Sequence, residues 1–127
     1  MGRSATAPDP DRYEHAYAHC DVLIVGGGPT GLAAARAAGA AGARVIVCDE
    51  GARWGGSLLG DDVVIDEGGS AAWIAHVADE LAANAGVTLL PRTTAFGIYD
   101  GNLAGLVERI TDHLAAPPAD VPRQRLW

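Results

Sequence analysis

The chain has 127 residues with nine basic residues, all of them Arg, against 16 acidic ones, and its formal net charge is −7. So acidic a chain offers no basic surface that would neutralise a phosphate backbone, and we expect no nucleic-acid partner. Without Lys, Schiff-base chemistry and the lysine-dependent phosphate loop are excluded within these residues. The length suits about one domain and is too short for a complete two-domain enzyme.

The apolar segments are too short to cross a membrane. The longest uncharged run, residues 22–35, is interrupted by glycines and ends at Arg36, whereas a spanning helix needs about 20 apolar residues. Residues 1–20 are polar and lack the apolar centre of a secretory signal. Two cysteines, Cys20 and Cys48, are too few for a disulfide framework, which favours a reducing, cytoplasmic location.

The first 20 residues mix charges, prolines and aromatic residues without a sustained period. We interpret residues 1–20 as a lead-in segment and residues 21–127 as a partial domain. His15, His19 and Cys20 are close in sequence, but no further ligand set accompanies them, so we predict no metal site. No acid–base pair stands out either, and we predict no catalytic residue in this chain.

A strand, helix, strand unit begins after Asp21. The apolar run Val22–Val25, cut off by glycine, is typical of a central parallel strand buried on both faces. Residues 32–41 form an Ala-rich helix with Gly42 placed to cap its C-terminal end. Residues 44–48 then form a second buried strand and complete the unit.

A glycine-rich loop follows at residues 51–69, and a second helix is predicted over residues 71–85 with Ser70 as its N-cap. Its apolar residues recur at helical spacing, so one face should pack on the sheet. The residues of this stripe are Trp73, Ile74, Val77, Ala78 and Leu81.

The remaining pattern is that of strands. Residues 87–90 indicate another parallel strand, and residues 93–99 and 103–110 indicate two antiparallel strands joined at Asp100–Asn102. Arg125–Trp127 begin a further strand. The predicted fold class is therefore α/β, a Rossmann-like parallel sheet with helices and an antiparallel β-meander, incomplete at the C-terminus.

Residues 26–31 satisfy the GxGxxG pattern between a predicted strand and a predicted helix. In this context Gly26 permits the sharp turn, Gly28 lets the backbone approach a pyrophosphate, and Gly31 lets the helix press on the sheet. The helix dipole and free amides would hold the phosphates without Lys. Asp49, at the end of the second strand, stands where an acid that binds ribose belongs.

Glu50 adds a second negative charge beside Asp49. Both carboxylates would repel a 2′-phosphate, so the motif favours NAD or FAD over NADP. NAD and FAD share the ADP half that such a motif contacts, so the motif alone leaves both open.

Four segments carry a more specific resemblance: residues 20–29, the acid pair 49–50, residues 55–58 and, above all, residues 92–100. On these residues the chain resembles the α subunit of heterotetrameric sarcosine oxidase, a similarity that runs from about Tyr13 to Trp127. The resemblance implies a truncated fragment of a much longer subunit, since the family's folate-binding domain and the rest of its dinucleotide domain are not represented here.

The resemblance also implies a function. That enzyme oxidises the N-methyl group of sarcosine to give glycine and hydrogen peroxide, with FAD, FMN and tetrahydrofolate used elsewhere in an assembly that also contains β, γ and δ subunits. Its α subunit binds NAD, which the resemblance places against Thr30, Asp49, Glu50, Ser57 and Ala95. One departure is that Gly51 stands where family members often have Arg; we consider Arg53 as a substitute.

We therefore predict the NAD-binding portion of an α subunit of this kind, an oxidoreductase part that is not catalytic alone. Two alternatives remain open, an FAD-binding fragment of a related amine or amino-acid oxidoreductase and a non-enzymatic dinucleotide-binding module. The predicted cofactor-binding residues are Gly26, Gly28, Thr30, Gly31, Asp49, Glu50, Gly56, Ser57 and Ala95.

Overall fold

A computed structural model describes residues 4, 6–61, 63–65 and 68–127. Within them the chain forms two α-helices, one short 3₁₀ helix (Gly56–Leu59) and nine strands that belong to three sheets. The elements are β1 (Tyr13–His15), β2 (Val22–Val25), α1 (Pro29–Ala40), β3 (Val45–Cys48), β4 (Val64–Ile65), β5 (Gly68–Gly69), α2 (Ser70–Ala83), β6 (Val87–Leu90), β7 (Thr93–Tyr99), β8 (Leu103–Arg109) and β9 (Gln124–Leu126).

A parallel sheet has the strand order β2-β3-β6. The middle strand β3 is buried at all four residues because it is flanked on both sides. The prediction that Val22–Val25 is a central strand buried on both faces is wrong: among the described residues β2 lies at the edge of its sheet, and Val25 is 63% exposed. Apolar composition identified the strand but not its place in the strand order.

The side chains of β3 alternate between two cores, which makes the chain three layers thick. Val45 and Val47 point toward α1 and α2, and Leu32, Val77 and Leu81 pack against them. The other face of β3 packs against the antiparallel strands. That second core consists of Ile46, Cys48, Leu90 and Leu106.

Helix α1 begins three residues earlier than the sequence predicts, with Pro29 in its first turn. Proline suits this position because its fixed φ matches the helix and no amide hydrogen is needed there. The predicted cap at Gly42 is confirmed: its φ is +84°, and its amide donates to the Gly39 carbonyl oxygen at 3.0 Å.

The predicted N-cap of the second helix is wrong. Ser70 is the first residue of α2, and Gly69 precedes it without a side-chain capping bond. The Ser70 hydroxyl instead donates to the backbone oxygen of Asp61 at 2.7 Å. This bond ties the start of α2 to the preceding loop, which explains why so small a polar side chain is almost fully buried.

Strands β7, β8 and β9 form the predicted antiparallel meander. The β7 to β8 turn lies at Asp100–Asn102, as predicted, and both Gly101 and Asn102 have a positive φ. The second strand ends at Arg109 rather than at Ile110.

The sheet of the meander also contains β1, which pairs in parallel with β9. The sequence pattern did not predict this strand. Arg123, next to β9, supports the pairing by donating to Asp11 at 2.9 Å and to Asp112 at 2.7 Å. Partners more than 100 residues apart leave no local periodicity to detect. The boundary at residue 20 stays a prediction.

Candidate functional site

The turn between β2 and α1 depends on two glycines. Gly26 has a φ of +109°, a region that residues with a side chain rarely adopt, and its amide donates to the Cys48 carbonyl oxygen at 2.8 Å. A β-carbon on Gly31 would overlap the carbonyl oxygen of Gly26. These two positions therefore need glycine for the fold itself, because the helix starts directly against the strand.

Gly28 differs from both. Its φ is −75°, which any residue adopts, and a β-carbon built on it has no atom of the described residues within 4 Å. Within that part of the chain, no contact requires glycine at this position. Open space in front of the backbone is the condition under which a phosphate can approach it closely.

The N-terminus of α1 offers free donors beside Gly28. The first helical hydrogen bond runs from the Leu32 amide to the Gly28 oxygen at 2.9 Å, so the amides of Thr30 and Gly31 have no intrahelical acceptor. Pro29 has no amide hydrogen. The first turn contains neither an acidic residue nor a side-chain cap, so no negative charge of its own offsets the positive end of the helix dipole.

The loop before the 3₁₀ helix lies against this turn. The Gly55 amide donates to the Gly27 oxygen at 2.8 Å, and a β-carbon on Gly56 would be 3.0 Å from the α-carbon of Gly28. The structure thus brings the predicted site residues Gly28 and Gly56 together. Ser57 lies exposed within the 3₁₀ helix.

The carboxylate of Asp49 joins the turn to the segment after β3. Its Oδ2 accepts the Gly27 amide at 2.6 Å, and its Oδ1 accepts the Gly51 amide at 2.7 Å. Two hydrogen bonds to a charged acceptor hold these backbone segments in register. Each oxygen keeps a further lone pair, so the carboxylate can still accept a bond from a sugar hydroxyl.

A cavity of about 450 Å³ lies at the carboxyl ends of β2 and β3. In open α/β sheets this end of the strands is where ligands bind, and the volume falls within the usual range of ligand pockets, about 300–1,000 Å³. Four of the predicted site residues, Gly26, Asp49, Glu50 and Ala95, line it. The other lining residues are Val25, Cys48, Gly51 and Thr93.

A second cavity of about 350 Å³ lies between the 3₁₀ helix and the start of α2. Arg53 lines this cavity and not the one at Asp49. The structure therefore does not support Arg53 as the substitute for a cation at position 51. Its other lining residues are Leu58, Leu59, Gly60, Asp61, Ser70, Ala71 and Ile74.

Cys48 is fully buried where it lines the first cavity. Burial raises the pKa of its thiol, and the negative charge of Asp49 raises it further. The neutral thiol is thus favoured, so Cys48 contributes packing at the base of the cavity rather than a nucleophile.

Sequence reasoning missed three residues that shape the site. The ring of Trp54 occupies the space that a β-carbon on Gly27 would need. Thr93 is buried, and its backbone amide donates to the backbone carbonyl oxygen of Asp49 at 2.7 Å. The guanidinium of Arg109, at the end of β8, donates to the backbone carbonyl oxygen of Glu50 at 2.6 Å. The glycine pair next to Trp54 could have indicated that this residue lies near the turn. Arg109 lies 59 residues from its partner, and no sequence pattern indicated their contact.

The sequence profile of the FAD dependent oxidoreductase family matches residues 21–89, more than half of the chain. The chain belongs to the FAD dependent oxidoreductase family. The matched segment contains the glycine turn and Asp49. The family's description points to FAD, the alternative to NAD in the sequence analysis, and gives no support to NAD.

The resemblance to the α subunit of sarcosine oxidase is confirmed. The chain is 51% identical, over its whole length, to sarcosine oxidase subunit alpha of Rhizobium meliloti (strain 1021). It is 50% identical to the subunit of that name from Corynebacterium sp. (strain P-1). The chain spans only 13% of the length of each of these relatives.

A comparison of folds supports the Rossmann-like assignment. L-proline dehydrogenase from P. horikoshii superimposes with a TM-score of 0.65 at 21% sequence identity. The match covers 91% of this chain and 22% of that one. At this identity the similarity concerns the fold alone, and it confirms the predicted parallel sheet with an antiparallel extension.

Among the described residues, the helices are too short to span the apolar interior of a membrane. No group of three or more His, Cys, Asp or Glu residues lies close enough together there to hold a metal ion.

Proposed function

We propose that this chain is the dinucleotide-binding part of a sarcosine oxidase-type α subunit and binds the ADP half of its ligand at the glycine turn. The observation that carries the proposal is the junction of the turn with Asp49, 2.6 Å from the Gly27 amide. That junction places free helix amides and a carboxylate at one end of the sheet. An anion and a sugar are the chemical groups that these donors and acceptors suit.

The residues fit such a ligand part by part. The diphosphate would lie in the open space at Gly28 and accept hydrogen bonds from the Thr30 and Gly31 amides. Hydroxyls of the adenosine ribose would donate to Asp49 and Glu50. Ala95, a small residue in the cavity wall, leaves room for the adenine beside the β7 backbone.

NAD is the dinucleotide we propose, because the positions given by the resemblance favour it; the acid pair suits NAD and FAD equally. FAD is the second candidate, and the family match favours it. Either group supplies hydride chemistry when bound. Flavin absorbs visible light and NAD does not, so the absorbance spectrum of the purified holo protein separates the two candidates.

In the whole assembly we propose that sarcosine is oxidised to glycine by subunits and domains other than this chain, with O₂ as the electron acceptor that becomes hydrogen peroxide and tetrahydrofolate as the acceptor of the N-methyl carbon. FMN, a further FAD and tetrahydrofolate, with β, γ and δ subunits, belong to that part of the proposal, as does the cytoplasmic location. The chain's own contribution is to bind and orient a dinucleotide.

Calorimetric titration with NAD, FAD and ADP tests the proposal. Gly28→Val places a side chain where the diphosphate would lie, and we expect it to weaken binding about tenfold or more, which is at least about 1.4 kcal/mol. Gly60→Val is the matched control, since Gly60 also has a negative φ and open space at its β-carbon position. Equal affinity of both variants and the wild type would overturn the phosphate assignment.

The same titration addresses the non-enzymatic alternative. A module that has kept the fold but lost its ligand would give no heat with any of the three nucleotides at millimolar concentration. Heat with ADP alone would confirm the adenosine site and leave the other half of the ligand to a different part of the assembly.

A further inference from the structure

Arg109, the last residue of β8, reaches the acidic segment that lines the cavity. Its Nη2 donates to the backbone oxygen of Glu50 at 2.6 Å. A guanidinium donor makes a stronger bond to a carbonyl oxygen than a neutral donor does. This bond connects the meander to the cavity rim across 59 residues of sequence.

The backbone of Arg109 contacts the same region a second time. Its amide donates to the Arg92 oxygen at 2.9 Å, and the Arg92 amide donates to the Gly51 oxygen, also at 2.9 Å. The main chain before the meander thus binds the Gly51 carbonyl oxygen, through the Arg92 amide. The Arg109 side chain binds the carbonyl oxygen of Glu50. Removal of the guanidinium would leave the backbone bonds in place and release only the Glu50 oxygen.

The peptide unit that Arg109 holds also contacts the carboxylate of Asp49. Its carbonyl belongs to Glu50, and its amide is that of Gly51, which donates to Asp49 Oδ1 at 2.7 Å. One peptide plane is therefore fixed at both ends, at its oxygen by a cation and at its hydrogen by an anion. Rotation of this plane would break both bonds and move the Glu50 side chain relative to Asp49.

We propose that Arg109 is a positioning residue, which fixes the Glu50–Gly51 peptide so that the two carboxylates face the sugar of the bound nucleotide. The inference rests on the proposed function for its ligand, but its structural part concerns the free protein. Arg109 touches no reacting group and acts through Glu50 and Asp49.

The test combines hydrogen exchange with nucleotide selectivity in the 127-residue chain. Arg109→Gln removes the guanidinium, and Arg36→Gln is the matched control, because Arg36 is an exposed cation of α1 that pairs with Glu80. We expect the Gly51 amide to exchange roughly fivefold faster in Arg109→Gln and at the wild-type rate in Arg36→Gln. Arg109→Lys keeps a charged donor on a shorter side chain, so the exchange rate of the Gly51 amide in this variant should lie between those of the wild type and Arg109→Gln.

ADP and 2′-deoxy-ADP are the binding probes. We expect the wild type to prefer ADP by roughly tenfold, since a site built to accept a hydroxyl discriminates against its absence. In Arg109→Gln the preference should fall to about twofold. A variant that is merely less stable would bind both nucleotides less well in equal proportion, so the ratio separates positioning from a general structural effect.

Each outcome decides something. Faster Gly51 exchange with a lost preference for ADP supports the proposal, and Arg109→Lys provides the same reading if Arg109→Gln does not fold. Wild-type exchange in both Arg109 variants, or an unchanged preference, overturns it. If the wild type binds neither nucleotide while Gly51 exchanges faster in Arg109→Gln, that result supports the positioning of the peptide by Arg109 and overturns the proposed function.

Discussion

The parallel sheet and the meander sheet contribute to the site in different ways. The parallel unit of β2, α1 and β3 is continuous in sequence and provides the glycine turn and the carboxylate of Asp49. The meander sheet joins strands as distant as β1 and β9 and provides Ala95, Thr93 and Arg109. The comparison indicates that a local motif builds the turn where we propose the diphosphate binds, whereas long-range pairing builds the cavity wall that we propose faces the sugar and the base.

This division has an energetic side. In the parallel unit Gly26 is required by its positive φ and Gly31 by steric overlap, so substitutions at these two positions should break the fold and the site together. At the rim the meander makes hydrogen bonds, and their loss should alter the site while the fold persists. Substitutions in the two regions therefore test this difference.

The largest effect is expected in the turn. Gly31→Ala places a methyl group onto the Gly26 carbonyl oxygen and should lower the free energy of unfolding by about 3 kcal/mol, because helix and strand must separate. Gly28→Ala, three residues away, should change it by no more than about 0.5 kcal/mol. Urea denaturation measures both. Equal losses in the two variants would contradict the distinct roles given to these glycines.

The core beneath the meander comes next. Leu106 is 4% exposed in the second core, and Leu106→Ala should cost about 3 kcal/mol of unfolding free energy through the cavity it leaves. Leu103→Ala is the control on the same strand, since Leu103 is 59% exposed, and should cost at most about 0.5 kcal/mol. If Leu106→Ala were as mild as its control, the meander would not pack on the parallel sheet as described.

Asp49 links the two regions and should show an intermediate effect. Asp49→Asn replaces one carboxylate oxygen by an NH2 group, which cannot accept a hydrogen bond from the Gly27 or Gly51 amide. One backbone donor is then unpaired, and the free energy of unfolding should fall by about 2 kcal/mol. Asp79→Asn, on the exposed face of α2, is the control with the same charge change. Chemical denaturation gives the comparison, and indistinguishable midpoints for the two variants would argue against the clamp.

The smallest effect concerns pH. Arg44, at the start of β3, donates to Asp21 at 2.8 Å, and this hydrogen bond lowers the pKa of Asp21 to about 2. Because the pKa is lowered in the folded state, the stabilisation is present above the ordinary pKa and is lost as the pH falls through about 2. The melting temperature of the wild type should therefore fall more than that of Asp21→Asn between about pH 5 and about pH 2, a range that includes the ordinary pKa of 3.8 and the lowered pKa of about 2. Parallel curves would show that the pair contributes nothing.

The comparison also explains what the sequence could predict. The GxGxxG turn, Asp49 and the strand at 87–90 follow from short patterns with a direct physical reason, and the structure has them in place. The hydrogen bonds of Asp49 to Gly27 and Gly51 were not predictable, because a spacing rule gives the position of an acid and not its partners. The edge position of β2 and the strand β1 depend on which strands pair across the chain, which composition does not encode.

The contribution of Arg109 escaped prediction for the same reason. A charged residue at the end of an antiparallel strand is ordinarily a solvated side chain, and only the packing of β8 beside the Glu50 segment gives it an acceptor. Ser57 stays a prediction. The resemblance places it against the dinucleotide, and the structure has it exposed on the 3₁₀ helix, outside the cavity lining at Asp49.

The most direct test of the central claim is a titration of isotopically labelled protein with ADP, followed by the amide chemical shifts of each residue. If the diphosphate binds at the glycine turn, the largest shifts should occur at Gly28, Thr30 and Gly31, with a second group at Glu50 and Ala95. Shifts concentrated around Leu58 and Ile74, which line the other cavity, or no shifts at saturating ADP, would contradict it.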